Sequence, residues 1–369
     1  MSGSPSSSSG SEEEDEGIDS YRKGGYHAVR IADNFSAGRY IAQKKLGWGQ
    51  FSTVWLAYDT ESSKYVALKI QKSAPQFSQA AIHEIEILSA VAAGDPSNDK
   101  CTVRLVDHFK HAGPNGQHLC MVLEFLGDSL LSLIKYNRYK GLEFHRVREI
   151  SRCILTALDY LHRELRIIHT DLKPENILLC SNINPSKDPI RSGVTPVLER
   201  PEGNPNGGVV ISSIEKRLKQ RAKRAVARIS ERRIAFELAT GEMMFTPKTG
   251  QGFSEDEDHL AMMMEFLGKI PRKIATSGAR SKEYFDRYGD LKRIRRLKYG
   301  SIDRLLVDKY KFSDADAREF AGFLSPMLDF DPDKRPTAQQ CLQHPWLNAD
   351  SETSRLNAGM NDLEIKAKK

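Results

Sequence analysis

The chain's pattern of apolar and polar positions changes along its length. Residues 39–71 carry β-branched, aromatic and aliphatic residues in short runs, RYIAQKKL, TVWLAYD and YVALKIQ, broken by turn signals. That spacing predicts strands. Residues 77–92 predict a helix with Ile82, Ile85 and Leu88 along one face. HLCMVLEFL, ending at Gly127, predicts an apolar strand. Residues 145–163 repeat Val147, Ile150, Ile154, Leu158 and Leu161 at intervals of three and four, an amphipathic helix. Residues 181–210 turn to Asn, Pro, Ser and Gly, a linker composition. Apolar periodicity returns after 234. Ser313 or Asp314 can cap a helix carrying Phe320, Phe323, Leu324 and Met327, and Thr337 can cap a last one ending at His344-Pro345-Trp346. Strands first and helices afterwards predict an α+β fold with a β-rich lobe followed by a helical one.

Composition narrows the class. Of 369 residues 39% are hydrophobic and 28% charged, enough to bury two cores. Residues 1–20, MSGSPSSSSGSEEEDEGIDS, have almost nothing to bury and read as a disordered acidic tail without the basic and apolar regions of a secretory signal. No run of eighteen apolar residues predicts a membrane span. The five cysteines form no CxxC pair and read as reduced thiols, with Cys120 and Cys153 at core positions. The net charge of +6 is concentrated in the basic stretch 215–233, EKRLKQRAKRAVARISERR, which could be helical. Binding RNA and directing nuclear import are open readings of it. The absence of an aromatic residue to stack on a base favours a plain solvated segment.

Three motifs carry chemistry. Leu46-Gly47-Trp48-Gly49-Gln50-Phe51-Ser52-Thr53-Val54 joins two predicted strands. Its glycines let backbone N–H groups approach a phosphate, though a plain hairpin turn would read the same way. Val66-Ala67-Leu68-Lys69 begins twelve residues after Val54, and Glu84 follows Lys69 by fifteen residues on the predicted helix. A lysine in so apolar a strand needs an anionic partner, unless it snorkels from the strand end. A phosphate-binding lysine held by a helical glutamate fits that need. The third motif, His169-Thr170-Asp171-Leu172-Lys173-Pro174-Glu175-Asn176, lies between Ile167-Ile168 and Ile177-Leu178-Leu179. In such a loop Asp171 accepts a hydroxyl proton, Lys173 stabilises the transferring phosphoryl group and Asn176 ligates Mg²⁺.

In order and spacing these motifs resemble the eukaryotic protein kinases. YRKGGYHAV (21–29), GRYIAQKKLGWGQFSTVWLA (38–57), the His-Thr-Asp variant, Asp256-Glu257-Asp258-His259-Leu260 and residues 281–310 resemble plant-like SR-protein kinases in particular. The resemblance implies a bilobal kinase fold, with tail 1–20, N-lobe and hinge 21–126, first part of the C-lobe 127–180, charged spacer 181–233, the rest of the C-lobe 234–348 and a polar tail 349–369. It implies ATP and Mg²⁺ as cofactors, Leu123 as gatekeeper, the Glu124 and Leu126 backbones on adenine, and Val54, Ala67 and Leu178 around it. It further implies phosphorylation of serines in Arg-Ser-rich splicing proteins by a monomer in cytoplasm and nucleus, acting directly on neither nucleic acid nor membrane. Thr170 stands where arginine is commoner, as in kinases active without a phosphorylated loop. Glu242, Asp258, Glu265 and Lys309 match a docking groove in which acids grip substrate arginines. Solvated surface acids are the alternative.

One block of the family pattern is absent. The chain has no Asp-Phe-Gly, no Ala-Pro-Glu and no Asp-x-Trp-Ser, and ISERR runs directly into Ile234-Ala235-Phe236-Glu237-Leu238-Ala239-Thr240-Gly241, read as the second half of the central helix. Asp329-Phe330-Asp331 is no substitute. The junction between two family-like flanks is what alternative splicing or a misdrawn gene boundary leaves. Three consequences are expected: loss of a metal-holding carboxylate, an orphaned Arg335 costing about 3–5 kcal/mol if buried, and a weakened anchor for the His169 loop. The C-lobe is therefore expected to be incomplete. Beside the kinase reading stands a catalytically impaired chain that binds only nucleotide and Arg-Ser peptide. A chain that never folds stably is a third reading.

Overall fold

The computed structural model describes residues 16–180 and 234–349. The basic stretch 215–233 and the linker 181–210 lie outside the described residues. The chain divides into two compact units, one built from residues up to 98 together with 103–127, the other chiefly from 128–179 and the residues after 233.

The first unit is a six-stranded antiparallel sheet with one helix. In chain order its strands are β1 (Asn34–Phe35), β2 (Tyr40–Gly49), β3 (Ser52–Asp59), β4 (Lys64–Gln71), β5 (Leu105–Gly113) and β6 (Gly116–Glu124), in the spatial order β1-β2-β3-β4-β6-β5. Helix α1 (Pro75–Gly94) follows β4. Strand alternation sends Trp55, Ala57, Val66, Leu68, Ile70, Cys120 and Val122 into one core with Phe35, Tyr40 and Ala42. The opposite face meets α1 through Leu119 and Met121 against Ala81 and Ile85. Ile82, expected to be buried with Ile85, is 40% exposed. Ala81, Ile85 and Val91 define the inward stripe instead.

Residues 16–20, grouped with the tail on composition, include a 3₁₀ turn at Ile18–Ser20. Glu16 bonds Lys45 and the Tyr21 hydroxyl, partners that composition cannot reveal.

A histidine cluster lies beside the same sheet. The His27 ring is 4.6 Å from that of His111 and 5.0 Å from that of His118. His27 Nδ1 and His118 Nε2 are buried without a hydrogen-bond partner among the described residues, while His118 Nδ1 meets Gln71 O at 2.8 Å. Burial, with His111 and His118 beside it, lowers the His27 pKa from 6.5 to about 4, against a small opposing pull from Asp33. Because the folded value lies below the unfolded one, the stabilisation is complete above pH 6.5 and is lost as pH falls toward 4. A shift of that size is worth about 3 kcal/mol in the limit. The melting temperature of the whole chain should therefore drop between pH 6.5 and 4.5, and His27→Gln should flatten that decline. A parallel decline in the variant would count against this account.

The second unit is helical. β7 (Leu126–Ser129) leads into α2 (Leu130–Tyr136), α3 (Phe144–Asp159) and a π-helical turn at Tyr160–Glu164, and β8 (Leu178–Cys180) closes the first described segment. The chain resumes with α4 (234–240), then α5 (Glu255–Leu267), α6 (Arg272–Ser277), α7 (Ser281–Tyr284), α8 (Ile302–Asp308), α9 (Asp314–Met327), α10 (Ala338–Leu342) and α11 (345–349). The caps follow the sequence: Ser313 accepts from Asp316 N–H, and Thr337 and Gln340 form a capping box. The helix at Thr337 is not the last, however, because Pro345 opens a further turn.

The core of this unit gathers Val147, Ile154 and Leu158 from α3, Phe236 and Leu238 from α4, Leu306 from α8, Phe320 and Leu324 from α9, and Trp346 from α11. Cys153, expected inside, is exposed. The 3.6-residue period turns Val147, Ser151, Ile154, Leu155 and Leu158 inward and leaves 153 on the outer side. Helix α4 is fastened to the loop after α2. Leu142 N–H donates to Leu238 O at 2.7 Å. A Cβ on Gly141 would come within 2.1 Å of Ala239 O, and one on Gly241, which has φ 77°, within 2.0 Å of Tyr139 O.

Arg335 corrects the sequence expectation. It is only half-buried, and its Nε donates to Asp329 O at 2.7 Å. With that acceptor and only partial burial, the cost of an orphaned buried charge does not arise. Among the described residues no helix is long and apolar enough to cross a membrane.

Candidate active site

Each unit carries part of the expected chemistry. In the first, direct pairing across the ladders places Val54 opposite Lys69, Lys69 opposite Met121, and Ala67 opposite Leu123. Residues paired in this way share a face, so Val54, Ala67, Lys69 and Leu123 stand together on the face that α1 only partly covers. All four are half-buried, a surface able to take a flat aromatic ring. Glu124 N–H is engaged by Arg104 O at 3.0 Å, so the adenine contact expected of Glu124 falls to its carbonyl. Leu126 lies at the start of β7.

Lys69 reaches Glu84 of α1, Nζ to Oε1 2.5 Å. Strand β4 and helix α1 thus set the pair that the fifteen-residue spacing implied. The glycine stretch is the β2–β3 hairpin: Gly47 faces Val54, Trp48 faces Thr53, Gly49 faces Ser52, and Gln50-Phe51 form the tip. Leu46, Trp48 and Phe51 are more than two-fifths exposed. Between hairpin tip, β4 and α1 lies a hollow of about 170 Å³, lined by Gly49, Gln50, Phe51, Ser52, Lys69, Gln71, Ala80 and Glu84. Backbone N–H groups and one lysine around such a hollow can hold an anion.

The second unit holds the acid and its neighbours. Leu172 is buried and pins the loop, while Asp171 and Lys173 remain half exposed. Asn176 Nδ2 donates to Asp171 Oδ2 at 3.0 Å and to Asp171 O at 2.8 Å. Lys173 Nζ lies 3.2 Å from the same Oδ2. Thr170 has φ 65°, in the left-handed region that a β-branched residue seldom adopts. By giving both amide bonds to Asp171, Asn176 turns its own carbonyl oxygen elsewhere, which fits one oxygen ligand of a Mg²⁺ ion. Among the described residues no three carboxylates, histidines or cysteines converge as a metal site. Ile168 and Leu178, flanking the loop, are 45% and 47% exposed.

The docking candidates lie farther along this unit. Asp258 and Glu265 stand two turns apart on one side of α5. Asp258 Oδ2 accepts Lys248 N–H and Glu265 Oε1 accepts Lys298 N–H, each at 2.8 Å. Such bonds orient a carboxylate without saturating it. Glu242 is already paired, Oε2 to Lys309 Nζ 2.6 Å and to the Tyr310 hydroxyl 3.1 Å. Lys309 holds its carboxyl below the usual range. Lys309 is therefore the internal cation of this acid, which an incoming arginine must share or displace.

Sequence reasoning missed two features: the Tyr26 hydroxyl, which donates to Gly49 O in the glycine hairpin, and the His27 cluster. Their signal was present in YRKGGYHAV, which was noted only as a likeness.

The glycine hairpin, the lysine–glutamate pair and the Asp-x-x-x-x-Asn loop define a protein kinase, and the protein kinase domain family matches residues 40–187. The chain is 38% identical over 391 residues to the serine/threonine-protein kinase SRPK of Physarum polycephalum, covering 90% of this chain and 91% of that protein. It is 32% identical to protein kinase dsk1 of Schizosaccharomyces pombe, covering 90% and 85%. To human SRSF protein kinase 3 it is 30% identical, covering 91% of each. The chain belongs to this SR-protein kinase family of serine/threonine-protein kinases. The three alignments run over 391, 461 and 518 positions, longer than the 369 residues available. These relatives therefore carry segments that this chain skips.

Proposed function

We propose that this kinase chain binds Mg-ATP and Arg-Ser-rich splicing proteins, and transfers the γ-phosphoryl group to their serines far more slowly than a complete family member. The observation that carries the reading is the catalytic loop, in which Asp171 is already held by Asn176 and Lys173 at 3.0 and 3.2 Å. Lys69, held by Glu84, would contact the α- and β-phosphates. Val54, Ala67 and Leu123 would pack on adenine, while Glu124 and Leu126 offer backbone groups. Asp171 would take the serine hydroxyl proton, and Lys173 would balance charge on the transferring group. Asn176 would hold Mg²⁺, which supplies charge neutralisation at the phosphates. The carboxylate that would share the metal with the Asn176 amide is missing from the sequence, which is why slow transfer is expected.

Asp258 and Glu265, with Glu242 after exchange from Lys309, would take substrate arginines, since arginine–carboxylate pairs are strong and bidentate. The names of the relatives support this substrate class. Action as a monomer in cytoplasm and nucleus belongs to the same reading. The binding-module alternative is favoured by one observation, the intact docking acids beside an absent Asp-Phe-Gly.

The test is transfer of labelled phosphate from Mg-ATP to an Arg-Ser repeat peptide, with Asp171→Asn as reference. The expected result is weak incorporation that Asp171→Asn abolishes, with peptide binding intact in both. Incorporation equal in the two chains would leave binding alone. Absence of both transfer and peptide binding would overturn the proposal.

A further inference from the structure

The segment 20–27 braces the glycine hairpin against the start of α1. The Tyr26 ring is 2% exposed, and its hydroxyl donates to Gly49 O at 2.7 Å. Lys72, just past β4, sets its ammonium 4.1 Å above that ring and 5.7 Å from the ring of Phe77 in α1. Phe51 at the hairpin tip packs against the same Phe77, ring centres 5.7 Å apart. The backbone completes the frame. Ala74 N–H, at the N-cap of α1, donates to Gly24 O at 3.0 Å, Ser73 N–H donates to Gly25 O, and Asn115 Nδ2 donates to Tyr26 O at 2.7 Å. A Cβ on Gly25 would lie 2.0 Å from Ser20 O, so this turn accepts only glycine.

We propose that Tyr26 is a positioning residue for nucleotide phosphate: its hydroxyl fixes the Gly49 carbonyl, and with it the hairpin backbone, over the hollow shared with Lys69 and Glu84. The inference rests on the reading of that hollow as the phosphate site. A hairpin with glycines at 47 and 49 gains conformational freedom from them, and an anion binds best when the amides it needs are held in place beforehand. Gly49 O is an acceptor at the point where that freedom is greatest. Tyr26 makes its hydrogen bond from a buried ring that cannot move without displacing Lys72. The same brace reaches α1, the helix that carries Glu84. Both groups flanking the hollow are thereby set from outside it. The desolvated ring and the cation above it agree with this arrangement, since burial raises the Tyr26 pKa and lowers that of Lys72.

Tyr26→Phe keeps the ring and the Lys72 contact and removes only the hydroxyl. The test measures binding of Mg-ATP, Mg-ADP and adenosine to the full chain and to this variant. One lost hydrogen bond corresponds to a weakening of roughly two- to tenfold. That loss is expected for ATP and ADP, with adenosine binding unchanged and melting within about 2 °C of the parent. Unchanged ATP affinity in the variant overturns the proposal. An equal loss for adenosine does so too, because it marks a merely structural tyrosine. If the parent chain itself binds adenosine as tightly as ATP, the phosphate reading of the hollow fails, and the brace loses its role with it. That outcome is read on the parent alone and is distinct from the first two.

Discussion

Grafting the skipped segment of a relative, from Asp-Phe-Gly through Ala-Pro-Glu to the first half of the central helix, between residues 180 and 234 should raise phosphoryl transfer by about two to three orders of magnitude. The argument is electrostatic. In the family, charge on the transferring group is balanced by lysine and by metal held between an asparagine and the Asp-Phe-Gly aspartate. This chain keeps Lys69, Lys173 and Asn176, each placed by a described element, and lacks the aspartate. Stabilisation of about 3–4 kcal/mol at the transition state is a conservative share for a metal position, and each 1.36 kcal/mol is about tenfold in rate. The check is the initial rate on an Arg-Ser peptide for parent, graft, and graft carrying alanine in place of the new aspartate. The third chain should fall back toward the parent. A graft no faster than the parent would show that the retained loop, and not the missing ligand, limits transfer.

The second large effect is on stability. Trp346→Ala should cost about 3–5 kcal/mol and lower the melting transition of the second unit by about 10 °C. Trp346 is 2% exposed and sits at the junction of three helices. Its ring centre is 4.7 Å from Phe323 and 4.8 Å from Phe320 of α9, and 5.8 Å from Phe144 of α3. The Arg148 guanidinium lies 5.3 Å above it. Aromatic groups of this kind contribute through area and ring geometry together. Removing the indole opens a cavity between rigid helices, which relax only in part. Calorimetry of parent, Trp346→Phe and Trp346→Ala should show a graded loss, with phenylalanine intermediate. A loss below about 1 kcal/mol for alanine would mean that α11 detaches without disturbing the core.

The candidate site was legible to different depths. Lys69 and Glu84 could be paired from spacing alone, because a strand and the helix after it leave few registers in which a buried lysine meets a carboxylate. The shared face of Val54, Ala67 and Leu123 follows from strand alternation once the ladder order is known. The Asp171 loop was legible because the tasks expected of Asp171, Lys173 and Asn176 call for distinct residue types at a fixed spacing. Arg335 was misjudged because its acceptor is the Asp329 carbonyl, and a sequence displays side chains, not the carbonyls that come within reach. Tyr26 was missed for a related reason: its partner is the backbone of a glycine 23 residues away. Ile82 and Cys153 were misplaced because apolarity alone does not fix which side of a helix turns inward. The pairing of Lys309 with Glu242 was not legible, since charge pairing within the unit is invisible until both ends are placed.

The attachment of α4 bears on how a short helix finds its place in the core. The helix is held along its whole length: Ile234, Ala235, Phe236 and Leu238 are buried in the core, Leu238 O accepts from Leu142 N–H, and Gly141 and Gly241 interlock with Ala239 and Tyr139. On the side of α4, these contacts begin with Ile234 itself, so shortening the helix from that end would take a fully buried apolar side chain out of the core first. Seven residues thus carry their own docking instructions, and the point at which the described chain resumes is set by α4 itself.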